Sequence, residues 1–232
     1  GWTGYFSFYA KCPIDALNSP KKGNLVGYGL CPEGIENNEM LYELLADMAW
    51  RSTPAELDAW TEAACKARYG SYPPAIRDAW ASFRKSCYNS FSDHPRFGWQ
   101  TLGTGSSVYD SAEFRAGVEK FLEAADALKQ EPLYRNDALE LAATYLGHVA
   151  NDWFALARNA HNEGQPELRD QAVAKGLVRL TELDRLLESH PILRLERWIG
   201  FARAHGATPA ETDGYETNAR RIVTVWGPPI ND

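Results

Sequence analysis

From Glu36 onward the apolar residues of this chain recur every three to four positions with polar residues between them. That spacing suits helices buried along one face and does not suit an extended sheet. Leu41, Leu44, Leu45 and Met48 give one amphipathic helix over about residues 36–50. Thr53-Pro54-Ala55-Glu56 sets a capping hydroxyl, a first-turn proline and a glutamate at the third helical position, so a second helix is predicted to start at about Pro54. The same four residues recur as Thr208-Pro209-Ala210-Glu211 and predict a last helix running towards Val225. Between them the periodicity predicts helices over 74–88, 112–129, 133–161, 167–189 and 191–204, with Gly98 to Ser107 as the longest loop. Trp60, Trp80, Trp153 and Trp198 fall within these helices and read as core. Two identical caps are common chemistry, and no fixed-period repeat accompanies them.

Residues 1–35 differ, being rich in glycine, aromatic and β-forming residues. Asn24 to Cys31 reads as a short buried strand running into a turn at Pro32. The expected fold is therefore mainly α, a helical bundle preceded by a short β-strand and loop segment. With 232 residues, 44% of them hydrophobic, the chain can bury a core as one large domain or two smaller ones. A net charge of −7 and a pI near 5.3 give no electrostatic reason to bind nucleic acid or an anionic membrane. No apolar run reaches the length of about 18 residues that spans a bilayer, and the first residues lack the basic start of a signal peptide. A start at Gly1 and an end at Trp226-Gly-Pro-Pro-Ile-Asn-Asp232 lead us to expect that both termini are cuts through a longer protein. Cys12, Cys31, Cys65 and Cys87 show neither a CxxC pair nor a zinc spacing, which leaves buried free thiols or disulfides as their roles and no metal site. The sequence holds no Asn-x-Ser/Thr site, which favours a bacterial source.

Chemistry concentrates at Gly27-Tyr-Gly-Leu-Cys-Pro-Glu-Gly-Ile-Glu-Asn-Asn-Glu39, where three carboxylates meet the junction of the predicted strand and helix. Barrel enzymes place catalytic groups at such strand ends. Glu33, between Pro32 and Gly34, is placed to serve as nucleophile or acid/base, or else as a charge interacting with the helix dipole. Glu36 and Glu39, in the first helical turn, read as dipole and capping charges.

The stretch Leu25 to Arg51 resembles glycoside hydrolase family 89, the α-N-acetylglucosaminidases. The resemblance continues in order through Trp60, Arg68-Tyr69-Gly70, Trp80, Ser86-Cys-Tyr-Asn89, Tyr134-Arg-Asn-Asp137 and Tyr215-Glu-Thr-Asn-Ala-Arg220 to Val225-Trp-Gly-Pro228. It implies that residues 1–40 are the end of a (β/α)8-type catalytic barrel and that 41–232 are a truncated helical C-terminal domain. It makes Glu33 the catalytic nucleophile and assigns His94 and Trp226 to the substrate pocket, where the indole face suits the apolar side of a sugar ring. It also implies a retaining hydrolase acting on terminal α-linked N-acetylglucosamine of a glycan, with no cofactor. The compartment implied is secreted or periplasmic in a bacterium and lysosomal in a eukaryote. The second carboxylic acid would lie upstream of Gly1, so the chain alone is expected to be inactive. The rival expectation is a non-catalytic helical interaction module derived from such an enzyme.

Overall fold

The computed structural model describes residues 2–31, 38–91 and 111–224. By contacts the chain divides into two compact units, Gly1–Leu180 and Thr181–Asp232.

In the first unit, β1 (Gly4–Tyr5) leads into two short helices, α1 (Phe6–Tyr9) and α2 (Cys12–Asn18). Next come α3 (Glu39–Met48), α4 (Leu57–Tyr69), α5 (Pro74–Lys85) and β2 (Asn89–Ser90), followed by α6 (Ser111–Glu123), α7 (Ala125–Leu128), α8 (Pro132–Asn162) and α9 (Pro166–Glu188), whose last residues, from Thr181, belong to the second unit. β1 and β2 pair antiparallel, Gly4 opposite Ser90 and Tyr5 opposite Asn89. Trp2, Phe6, Trp80, Phe83 and Tyr88 pack ring on ring at the centre of the core. The apolar stripe foreseen for α3 is the buried one, with Leu44 and Met48 fully enclosed. α5 and α6 approach closely because position 117 is glycine: a Cβ there would stand 2.7 Å from the Phe83 ring.

The second unit contains α10 (Leu195–Arg203) and α11 (Pro209–Ile222). Thr208 caps α11 with a complete box, its hydroxyl accepting from the Glu211 amide while the Glu211 carboxylate accepts from the Thr208 amide. Glu216 accepts from both Arg203 of α10 and Arg220 of α11, which ties the pair together.

The mainly helical expectation holds, and the 112–129 helix is interrupted at Ala124 to give α6 and α7. Three local expectations are corrected. Residues 24–31 form no strand and are exposed, with Val26 94% accessible. A strand exists only through a ladder with a neighbour, and no described residue pairs with this segment. Ahead of that segment, where no element was expected, residues 6–18 are largely helical, because Phe6 and Ile14 turn one face to the core. α4 starts at Leu57, not Pro54: the Ala55 amide donates to the Ala10 carbonyl at 2.9 Å, so residues 53–56 run extended. Finally, Trp60 and Trp80 are core as read, whereas Trp198 is 52% exposed and Trp153 is half-buried beneath the Lys175 ammonium. An aliphatic stripe does not require that its aromatic members be enclosed, since an indole can bond at its polar edge, as Trp198 Nε1 does to the Ile192 carbonyl. All four cysteines are free thiols, Cys65 and Cys87 fully buried.

Candidate active site

The three residues assigned to the site, Glu33, His94 and Trp226, lie outside the described residues. The frame from which two of their segments depart is described in full. Segment 32–37, which carries Glu33, is followed by Asn38; segment 92–110, which carries His94, follows β2 and Phe91. Asn38 is buried, and its amide donates to the Thr3 carbonyl at 2.5 Å while its Oδ1 accepts from the Tyr88 hydroxyl at 2.9 Å. Tyr88 stands immediately before β2, and its carbonyl accepts from the Phe6 amide at 3.2 Å. One knot thus ties the end of one segment to the start of the other and fixes both to β1. A buried amide that satisfies both of its ends in this way holds its position in the low-dielectric core. On the other flank the Tyr28 hydroxyl donates to the Leu45 carbonyl, joining residues 25–31 to α3. Phe91 packs its edge on Phe8 and Tyr5, at ring separations of 4.7 and 5.2 Å.

The first unit also buries an ion pair. Asp137 of α8 accepts from Arg68 Nε at 2.7 Å, from Arg68 Nη2 at 2.6 Å and from the Tyr69 hydroxyl at 2.6 Å. Both ionic side chains are nearly enclosed, 8% and 5% exposed. Burial, with the adjacent Asp137 charge, pushes the Tyr69 phenol well above its ordinary range. One turn further along α8, burial and then the charge of Glu39 push the half-buried Glu140 carboxyl up to about 6. His148 is buried on the same helix against Phe114, and burial with the Arg115 charge pushes its imidazole down to about 4. Among the described residues no group of His, Cys, Asp and Glu could hold a metal ion, and no helix is long and apolar enough to cross a membrane.

Sequence reasoning placed Glu39 at a helix start, where it stands, but did not anticipate Asn38, Tyr88, Asp137 or Glu140 as parts of the frame. Asp137 offered a signal, since a lone aspartate on the apolar side of a predicted helix calls for a buried cation. Asn38 offered none.

Comparison with known proteins extends over nearly the whole chain. Residues 1–52 match the family model described as the α-N-acetylglucosaminidase (NAGLU) TIM-barrel domain, and residues 60–232 match that of the α-N-acetylglucosaminidase (NAGLU) C-terminal domain. Human α-N-acetylglucosaminidase is 31% identical over 219 residues, which is 89% of this chain and 29% of the human protein. A family 89 glycoside hydrolase from Clostridium perfringens, solved with 2-acetamido-1,2-dideoxynojirmycin, superposes with a TM-score of 0.86 at 29% identity over 99% of this chain and 28% of that one. A form of the Clostridium perfringens enzyme with two glutamates changed to glutamine, solved with its substrate GlcNAc-α-1,4-galactose, superposes equally well at 28% identity, again over 99% of this chain and 28% of that one. The chain thus spans less than a third of the relatives it matches.

Proposed function

Because the chain belongs to the α-N-acetylglucosaminidase family, we propose that it is the nucleophile-bearing part of a retaining exo-glycosidase that removes terminal α-linked N-acetylglucosamine from a glycan. The observation that carries this is the family match itself: Pro32-Glu-Gly-Ile35 falls within the barrel match, and the helical match follows it in order from residue 60. We place the division of the chain near residue 40, residues 1–40 belonging to the barrel and 41–232 to the helical domain, whereas the barrel match runs on to residue 52 and the helical match starts at residue 60.

Glu33 is the nucleophile in this reading. Its carboxylate attacks the anomeric carbon as a carboxylic acid supplied from outside this chain protonates the leaving oxygen, and water then hydrolyses the glycosyl-enzyme. The two carboxyls should stand about 5–5.5 Å apart, too close for an intervening water, so the anomeric configuration is retained. The pair of Glu-to-Gln changes in the substrate-bound Clostridium perfringens enzyme supports a two-carboxyl mechanism. His94 and Trp226 orient the sugar. The knot of Asn38 and Tyr88 supports the joint placement of Glu33 and His94, since both segments leave it. A substrate of this kind implies a secreted or periplasmic setting, or a lysosome.

The test is hydrolysis of a chromogenic α-N-acetylglucosaminide by the longer protein that contains this chain. Glu33→Gln should lower kcat by orders of magnitude while the sugar still binds, whereas Trp226→Ala should weaken binding as well as turnover. The 232-residue chain alone should show no turnover. Near-normal activity of the Glu33→Gln enzyme would remove the assignment.

A further inference from the structure

We propose that Tyr5, Phe8, Tyr9 and Phe91 form an aromatic platform at the root of the candidate pocket, and that it receives the uncharged sugar ring to which the terminal N-acetylglucosamine is joined. The proposal rests on the glycosidase reading above for the identity of that sugar, and on the described residues for the platform itself.

The rings come from three places in the first unit. Tyr5 ends β1, Phe8 and Tyr9 lie on α1, and Phe91 follows β2, which pairs antiparallel with β1. Between ring centroids Phe91 stands 4.7 Å from Phe8, 5.2 Å from Tyr5 and 6.2 Å from Tyr9, each time edge to face. Phe8 meets Tyr9 at 5.5 Å, also edge to face. These arrangements fix the rings against one another. Held this way, Phe91 is still 64% exposed and Phe8 38% exposed. A lone aromatic ring on a surface needs no explanation, whereas a cluster of four makes a patch that calls for a partner. Neither the Tyr5 nor the Tyr9 hydroxyl takes a hydrogen-bond partner among the described residues.

The platform is fixed to the same frame as the site. Gly4 and Tyr5 pair with Ser90 and Asn89, next to Tyr88, and Thr3, whose carbonyl accepts from Asn38, stands two residues before Tyr5. Phe91 is three residues before His94, so covalent reach keeps the two Cα atoms within about 11 Å of each other. In an exo-acting enzyme the sugar beyond the scissile bond lies just outside the pocket that encloses the terminal one. The platform stands where the wall assigned to His94 leaves the frame.

The rings also define the occupant. A pyranose carries C–H bonds on its apolar face, and laying that face on an aromatic ring removes apolar surface from water on both partners. The two phenolic hydroxyls can donate to or accept from the hydroxyls of the sugar. No member of the platform is charged, and the face of an aromatic ring is the negative part of its quadrupole, which disfavours a carboxylate on the sugar. Lys11, the next cation along the chain, pairs with Asp15 at 3.9 Å. The occupant is therefore a neutral hexose and not a uronic acid.

The experiment uses the longer protein that contains this chain and two substrates, the disaccharide GlcNAc-α-1,4-galactose and α-N-acetylglucosaminyl fluoride, whose leaving group has no ring. Phe91→Ala should lower the ratio of kcat/KM for the disaccharide to that for the fluoride about fivefold, the factor that corresponds to about 1 kcal/mol, chiefly through KM. The parent should prefer the galactose disaccharide to its glucuronic acid counterpart, and Phe91→Ala should narrow that preference. Binding without turnover is read in the Glu33→Gln protein by saturation-transfer NMR. The galactose protons should receive saturation there and lose it when Phe91→Ala is added, while the N-acetylglucosamine protons keep theirs. An unchanged kcat/KM ratio would overturn the platform, and a lowered melting temperature beside it would mark the rings as a packing surface for the rest of the protein. Absence of transfer to the galactose, or a preference for the uronic acid, would overturn it as well. Transfer that depends on Phe91, with no hydrolysis of either substrate by the parent, would instead count against the glycosidase reading and leave the platform standing.

Discussion

Replacing Asp137 with alanine is the most demanding test of how the frame is held. The substitution removes the acceptor of three hydrogen bonds at 2.6 to 2.7 Å and leaves the Arg68 guanidinium, 8% exposed, without its counter-ion. Removing one partner of a buried ion pair costs about 3–5 kcal/mol. The Tyr69 hydroxyl loses its acceptor too, which adds about 1–3 kcal/mol, less whatever water entering the space recovers. A loss of about 4–6 kcal/mol is therefore expected. Against a typical domain stability of about 5–15 kcal/mol this brings the first unit close to unfolding. Urea unfolding followed by tryptophan fluorescence reads the change, because Trp2, Trp60 and Trp80 all lie in that core. Arg68→Met should cost a similar amount, since it leaves Asp137 charged with only Tyr69 as donor. The double variant Arg68→Met/Asp137→Leu should cost less than either single change, because no buried charge is then left unpaired. A cost below about 1 kcal/mol for Asp137→Ala, or a double variant equal to the sum of the singles, would refute the view that desolvation dominates here.

The two copies of Thr-Pro-Ala-Glu should respond differently: Thr208→Ala should cost about 1 kcal/mol by chemical unfolding, while Thr53→Ala should be nearly neutral, since only the second copy forms a capping box. Gly117→Ala should destabilise by about 1–3 kcal/mol, measured in urea, because its methyl would meet the Phe83 ring at 2.7 Å. Tyr88→Phe should cost about 1–2 kcal/mol and increase amide exchange in α3, since it leaves Asn38 Oδ1 in the core without its donor.

Much of the helical architecture was legible because helices are local: their apolar stripes and first-turn prolines sit within a few residues of one another. What escaped depended on partners far away in sequence. Thr53 and Thr208 carry the same signal, yet at the first copy a single long-range bond, from the Ala55 amide to the Ala10 carbonyl, wins over a cap worth about 1 kcal/mol. Leu25 to Leu30 has strand-forming residues, but strand structure belongs to a pair and not to a segment. Trp198 shares its helix with buried Ile199, and periodicity alone does not tell which neighbour is enclosed. At the site the resemblance assigned Glu33, His94 and Trp226, all outside the described residues, whereas the frame beside them was not legible. Asn38 does its work through Thr3 and Tyr88, and no spacing rule connects residues that far apart.

The knot at Asn38 also divides the chain into positions where length matters and positions where it does not. Segments 32–37 and 92–110 are anchored where they meet the frame, so residues inserted within either are charged only for closing a longer loop. That cost grows with the logarithm of length, about 0.6 kcal/mol for each doubling. An insertion between Asn38 and α3, or between Tyr88 and β2, would instead shift one anchor against the other and break the bonds that hold both. Variation in the length of either segment is thus open to this fold at little thermodynamic cost, provided the two anchor residues keep their register.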